Sequence, residues 1–169
     1  DETAKVLVDG WYKSGDEGFV VNGEYLMMTD RIKDLIKTSV GKYVSPQKLE
    51  LLISQSKYIE QVVVFGDNRK FMSALVVPSF KNLEEILPQL NINISKPDQL
   101  VKDEKINSFY KEQIETCLSD LTSYEKVVKF TLVPENFSIE NNALTNTLKI
   151  KRKVIEQKYQ AEIEKMYLG

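Results

Sequence analysis

The chain has 169 residues, 42% hydrophobic and 28% charged, with a formal net charge of -2 and a pI near 5.4. That size supports one modest core with a small appendage, and the slightly acidic balance argues against a nucleic-acid partner, which requires a strongly basic face. A single cysteine and the lack of histidine exclude an intramolecular disulfide, a histidine triad and a histidine zinc site. There is no apolar run of about 18 residues and no signal-peptide pattern, so the expected compartment is the cytosol, with a peripheral membrane contact left open.

In chain order, the first element is a hairpin from Phe19 to Met28, signalled by Asn22-Gly23 between two strand-like runs. A charged segment, Asp30 to Lys37, leads to a loop around Gly41. Ser45 then caps a helix that has Pro46 at its first position and Leu49, Leu52 and Ile53 on its apolar face. Strands are predicted over Ile59 to Phe65 and Phe71 to Val77, joined by the turn-rich segment Gly66-Asp67-Asn68-Arg69-Lys70. Ser79 opens a short helix through Leu83, Ile86 and Leu87 that Pro88 ends or kinks.

The polar segment from Asn91 to Asp98 reads as a surface connection. Beyond it, Ile106, Phe109, Tyr110, Ile114, Cys117, Leu118 and Leu121 recur at helical spacing and define the main core helix, with Cys117 expected as a buried thiol. Val127 to Val133 alternates like a strand, and a mostly polar stretch from Glu135 to Asn146 leads into a terminal helix with apolar positions at Ile150, Val154, Ile155, Ile163 and Met166. Together these elements predict an α+β fold, a small and mainly antiparallel sheet flanked by helices.

Lys149, Lys151, Arg152 and Lys153 crowd what reads as the start of that last helix. Cations there oppose the helix dipole, and the arrangement is relieved when an anion joins the cations and the free backbone N–H groups. The stretch is therefore either a phosphate site or a solvated basic face.

Four motifs occur in one order along the chain: Trp11-Tyr12-Lys13-Ser14-Gly15-Asp16, Asp30-Arg31-Ile32-Lys33-Asp34-Leu35-Ile36-Lys37, Gly41-Lys42-Tyr43-Val44-Ser45-Pro46, and Thr145-Asn146-Thr147-Leu148-Lys149-Ile150-Lys151-Arg152. In this order they resemble the adenylate-forming acyl-CoA synthetases, and most of all the long-chain fatty acid CoA ligases. The resemblance implies a C-terminal fragment, with the phosphate loop, the acyl pocket and the magnesium-binding acidic residue lying upstream. It also implies that residues 1–32 end the large domain, hairpin included, and that residues 33–169 form the mobile C-terminal domain.

The same resemblance suggests roles. Lys149 matches the lysine that neutralises charge on the α-phosphate and the departing pyrophosphate, as adenylate formation requires. Asp16 matches the carboxylate that accepts hydrogen bonds from the ribose hydroxyls, and Arg31 an arginine near the same ribose. Lys33 falls at the hinge, where the backbone rotates between the two half-reactions. Gly41 falls where the lack of a side chain lets the CoA arm pass close to the backbone. Lys151, Arg152 and Lys153 stay divided between phosphate contact and plain solvation. The related long-chain enzymes usually have proline where Asn146 stands, which leaves this loop less rigid.

The expected reaction uses ATP with Mg2+ and CoA: a fatty acid becomes an acyl-adenylate and then a thioester, and the 169-residue piece alone is inactive. Two alternatives stand beside it. The acid or the acceptor could differ, with a carrier-protein thiol replacing CoA, or the chain could be a non-catalytic interaction module that kept the fold.

Overall fold

The computed structural model describes residues 6–31, 34–93 and 96–168. It opens with two antiparallel ribbons, β1 (Leu7–Val8) with β2 (Trp11–Tyr12) and β3 (Asp16–Val21) with β4 (Tyr25–Arg31). The predicted hairpin turn is present. Asn22 and Gly23 have φ of 53° and 73°, and the Glu24 N–H donates to the Val21 carbonyl at 3.1 Å. Two successive residues at positive φ match the right-handed twist of the flanking strands, which is why Asn-Gly is favoured there. Among the described residues neither ribbon pairs with a further strand, and none from residues 6–31 enters either hydrophobic cluster. Trp11 is 79% exposed, and Phe19, Val20, Tyr25, Leu26, Met27 and Met28 are exposed as well. Successive side chains of a strand point to opposite faces, so both faces of the β3–β4 ribbon are apolar and open.

The remainder is built on a sheet of β7 (Ile59–Phe65), β8 (Met72–Pro78) and β9 (Val127–Leu132), in that order, preceded by the short pair β5 (Ile36–Lys37) and β6 (Tyr43–Val44). β7 and β8 form the expected hairpin, whereas β9 lies parallel to β8. A parallel neighbour requires a long crossover, and residues 79–126 supply it with α2 (Phe80–Leu83), α3 (Pro97–Leu100) and α4 (Glu104–Cys117). The other strand pairs are antiparallel, so the fold is α+β with a mostly antiparallel set of strands.

Helices cover both faces of the sheet. Val62, Val64, Met72, Ala74 and Val76 point to one side, where they pack with α1 (Pro46–Ile53) and α4 through Leu49, Ile53, Ile106, Tyr110 and Ile114. Val63, Phe65, Leu75 and Val77 point to the other, where Val133, Phe137 and Ala143 join Ile155 of α5 (Arg152–Lys158) and Ile163 and Met166 of α6 (Gln160–Tyr167). Strands buried on both faces read as near-continuous apolar runs, as Met72–Pro78 does with only Ser73 interrupting it. The caps follow from the sequence. Ser45 Oγ accepts from the Lys48 N–H at 3.2 Å, and the Asp103 carboxylate accepts from the Lys105 and Ile106 N–H groups at 2.9 and 3.1 Å.

Several expectations are corrected. Cys117 ends α4 half-buried rather than in the core, its thiol 3.9 Å from the Ile53 carbonyl, and burial pushes its pKa up. Ser79 stands at the start of α2, but its side chain makes no capping bond. Within the 91–98 connection, Pro97 begins α3 at the first-turn position that proline tolerates. The terminal helix breaks at Tyr159, whose φ and ψ of -109° and 28° are not helical. Ile150 lies before the helix, in an isolated bridge with Leu144. Among the described residues no helix is long and apolar enough to cross a membrane.

Candidate functional site

The loop between β9 and α5 carries Lys149 and is built almost wholly from its own hydrogen bonds. Asn141 organises its first half: its Oδ1 accepts from the N–H groups of Ser138 and Ala143 at 3.0 and 3.2 Å, and its Nδ2 donates to the Asn136 carbonyl at 2.7 Å. The second half is a small hairpin. Leu144 bridges Ile150, the Lys151 N–H donates to the Ala143 carbonyl at 2.8 Å, and the Leu148 N–H donates to the Thr145 carbonyl at 2.9 Å. Thr145 Oγ1 also stands 3.0 Å from Thr147 Oγ1. At the tip Leu148 adopts φ of 60°, a left-handed conformation uncommon for a bulky residue, and its side chain is 68% exposed.

This geometry changes the reading of the basic stretch. The helix begins at Arg152, with Lys151 at its cap and no side-chain capping bond, so Lys149 projects from a loop and not from a helix start. Its side chain is exposed and, among the described residues, has no hydrogen-bond or ion-pair partner. Arg152 does the opposite: Nη1 donates to Glu50 Oε1 at 2.6 Å and to the Val64 carbonyl, so its charge is spent inside the fold. Lys151 Nζ donates to Asn142 Oδ1. Among the described residues the four cations thus separate into two exposed ammoniums without a hydrogen-bond or ion-pair partner, Lys149 on the loop and Lys153 on the helix, the structural guanidinium of Arg152, and Lys151, which is tied to Asn142.

The other candidates lie on separate elements. Asp16 begins β3, half-buried, with its N–H donating to Ser14 Oγ at 3.2 Å and Gly15 before it at φ of 77°. The ladder places the main chain of Arg31 opposite that of Asp16, so the two nucleotide candidates share one end of the ribbon. Lys33 lies outside the described residues. Gly41 sits in the turn between β5 and β6, which Thr38 closes: its Oγ1 accepts from the Lys42 N–H at 3.1 Å, and the Gly41 N–H donates to the Thr38 carbonyl at 2.9 Å. Gly41 has φ of 77°, and a Cβ there would meet nothing within 4 Å, so its backbone faces open space. Among the described residues no group of three or more His, Cys, Asp or Glu side chains could hold a metal ion.

Sequence reasoning did not find Glu50, Gln61, Asn141 or the double role of Thr145. The partners of Glu50 and Gln61 stand 102 and 76 residues away in sequence, and no local pattern announces such a contact.

The family model for the AMP-binding enzyme C-terminal domain matches residues 33–169. A long-chain-fatty-acid–CoA ligase 5 from Rattus norvegicus is 33% identical over 99% of this chain and 25% of its own length. Among solved structures, the adenylation domain of a carboxylate reductase from Mycobacterium chelonae superposes with a TM-score of 0.80 at 25% identity, covering 99% of this chain and 25% of that one. The A-PCP didomain of a carboxylic acid reductase from Segniliparus rugosus, in complex with AMP, gives 0.79 at 27% identity, covering 99% and 22%. The chain spans about a quarter of the length of these relatives. With the family model covering both faces of the sheet and the Lys149 loop between them, the chain belongs to the AMP-binding enzyme C-terminal domain family.

Proposed function

We propose that residues 33–169 are the mobile C-terminal domain of an ATP-dependent long-chain fatty acid–CoA ligase and that residues 1–32 close its large domain. In the first half-reaction a carboxylate oxygen of the acid attacks the α-phosphorus of ATP, and the bond to pyrophosphate breaks. In the second, the CoA sulfur attacks the acyl carbonyl and AMP leaves. A cation held where charge grows on the phosphates lowers the first barrier. The single observation that carries this reading is Lys149, an ammonium unpaired among the described residues, on a loop whose backbone is already hydrogen-bonded into shape.

Asp16 would accept from the ribose hydroxyls, and Arg31 would lie beside the same ribose. Lys33 would be the hinge, and Gly41 would let the CoA arm run along the backbone. The ribbon with two open apolar faces supports assigning it to a larger upstream domain. A cytosolic setting, with ATP and CoA at hand, suits the reaction.

The test is acid-dependent ATP–pyrophosphate exchange and thioester formation by the full-length protein on a panel of fatty acids, wild type against Lys149→Ala. The expected loss of exchange is about 100-fold or more, roughly 2.7 kcal/mol of transition-state stabilisation, with thioester formation from supplied acyl-adenylate largely spared. Unchanged exchange would remove Lys149 from catalysis. The likeness to carboxylate reductase adenylation domains favours a second acceptor, a carrier-protein thiol. Capture of the acyl group by a holo carrier protein in preference to CoA would select it, and a wild type inactive on every acid would favour the non-catalytic module.

A further inference from the structure

β7 pairs with β8 alone, so its other edge is open. Two side-chain contacts hold the loop that carries Lys149, one on the face that Gln61 shares with Val63 and Phe65 and the other at that edge, on the backbone of Val64. At one point Gln61 pairs with the backbone of Phe137 in both directions, Nε2 donating to the carbonyl at 2.8 Å and Oε1 accepting from the N–H at 2.6 Å. At the other, Glu50 Oε1 accepts from the Val64 N–H at 2.9 Å and from Arg152 Nη1 at 2.6 Å, while Arg152 also donates to the Val64 carbonyl.

These two points bracket the loop. Phe137 stands at its entrance and Arg152 at its exit, and the Thr145–Lys149 hairpin lies between them. Glu50 belongs to α1, in the layer on one face of the sheet, and Arg152 opens α5, in the layer on the other. Their pair therefore reaches round the strand edge and joins the two layers. Both side chains are mostly buried, at 12% and 28% exposure, where a charge-assisted bond is stronger and an unpaired partner costly.

We propose that Gln61, Glu50 and Arg152 are positioning residues for Lys149, fixing the loop to β7 so that the ammonium is presented in one place. The proposal rests on the adenylation reading of Lys149. A misplacement of about 1 Å in a reacting group can cost on the order of 100-fold in rate, and these three side chains tie the two ends of the Lys149 loop to β7.

The test uses the full-length protein with Gln61→Glu and Arg152→Lys beside Lys149→Ala. Gln61→Glu keeps the acceptor for the Phe137 N–H but removes the donor to its carbonyl. Arg152→Lys keeps the charge but replaces a planar fork with a point donor. Each is expected to lower ATP–pyrophosphate exchange about 10-fold or more, to leave thioester formation from supplied acyl-adenylate and the melting temperature near wild type, and to cost nothing further in the Lys149→Ala background.

If Lys149→Ala abolishes exchange while both variants keep it, the positioning proposal is overturned and the adenylation reading stands. Equal loss in both half-reactions, or a full additional loss in the Lys149→Ala background, overturns it as well. Unchanged exchange in Lys149→Ala overturns the reading and the proposal together. Should Arg152→Lys fail to fold, Gln61→Glu decides by amide hydrogen exchange. Faster exchange at the Lys151 N–H with the β7–β8 amides unchanged supports the proposal, and unchanged exchange at Lys151 overturns it.

Discussion

Thr145 grips Lys149 from both sides of the peptide chain: its N–H donates to the Lys149 carbonyl at 2.8 Å, and its Oγ1 accepts from the Lys149 N–H at 3.0 Å. The backbone of the lysine is thus set independently of its side chain, which is left to reach outward. Thr145→Val keeps the backbone bond but removes the hydroxyl, and with it the acceptor for the Lys149 N–H, a bond worth about 1 kcal/mol, and the contact with Thr147 Oγ1. ATP–pyrophosphate exchange should fall about fivefold on that account, and Thr145→Ser should retain it. Equal activity in the two variants would show that the hydroxyl has no part in presenting Lys149.

Leu148 offers a test on stability alone. Its φ of 60° costs a residue with a Cβ roughly 1–2 kcal/mol, and its exposed side chain recovers little by packing. Leu148→Gly should hold or raise the melting temperature of the chain, whereas Leu148→Val, β-branched, should lower it. The order Val above Gly in thermal unfolding would contradict the strain assigned here.

Tyr110 is fully buried on α4, and its hydroxyl donates to the Tyr58 carbonyl at 2.7 Å. That carbonyl also accepts from the Ser79 N–H at 2.7 Å, so Tyr110→Phe removes one of its two bonds, a loss of about 1 kcal/mol that urea unfolding would register. Burial raises the pKa of this phenol well above its ordinary value. The raised direction means that stability present below the ordinary tyrosine range is lost as the pH climbs above about 10, and Tyr110→Phe should weaken that alkaline decline.

Glu125 contributes to an acid limit: its carboxylate accepts from the Thr122 hydroxyl and pairs with Lys48 at 2.9 Å. The Thr122 hydrogen bond first, and the Lys48 ammonium after it, hold its pKa below the ordinary 4.5. A depressed folded pKa contributes stability above the unfolded value and loses it as the pH falls below that value. The melting temperature should therefore decline from about pH 4.5 downward, and Glu125→Gln should flatten part of that decline. An acid limb of the same slope in the variant would place the sensitivity elsewhere.

Much of this was legible because it is local. The Asn22-Gly23 turn, the Ser45-Pro46 helix start, the β7 and β8 runs and the α4 stripe are each written within a few neighbouring residues, where backbone preference and side-chain periodicity decide the outcome. The Lys149 loop was found by its motif, but its form was not. The sequence reading put Lys149 at a helix start, and the structure sets it in a hairpin because Leu148 turns left-handed and Arg152 is drawn inward to Glu50 and Val64. Such contacts join residues far apart in the chain and leave no periodic trace. The parallel return of β9 was missed for the same reason, since an alternating strand reads alike whether its neighbour runs with it or against it.

That parallel return has a consequence for how the chain is made. β7 and β8 meet across a short turn, but β9 can add to β8 only after residues 79–126 have closed a long loop, a slow kind of contact. Until then the far edge of Met72–Pro78, a strand buried along its whole length in the finished molecule, offers unpaired backbone and apolar side chains to any neighbour. A nascent chain is most prone to aggregate in that interval, and substitutions that delay α4 should reduce the yield of folded protein more than they reduce its final stability.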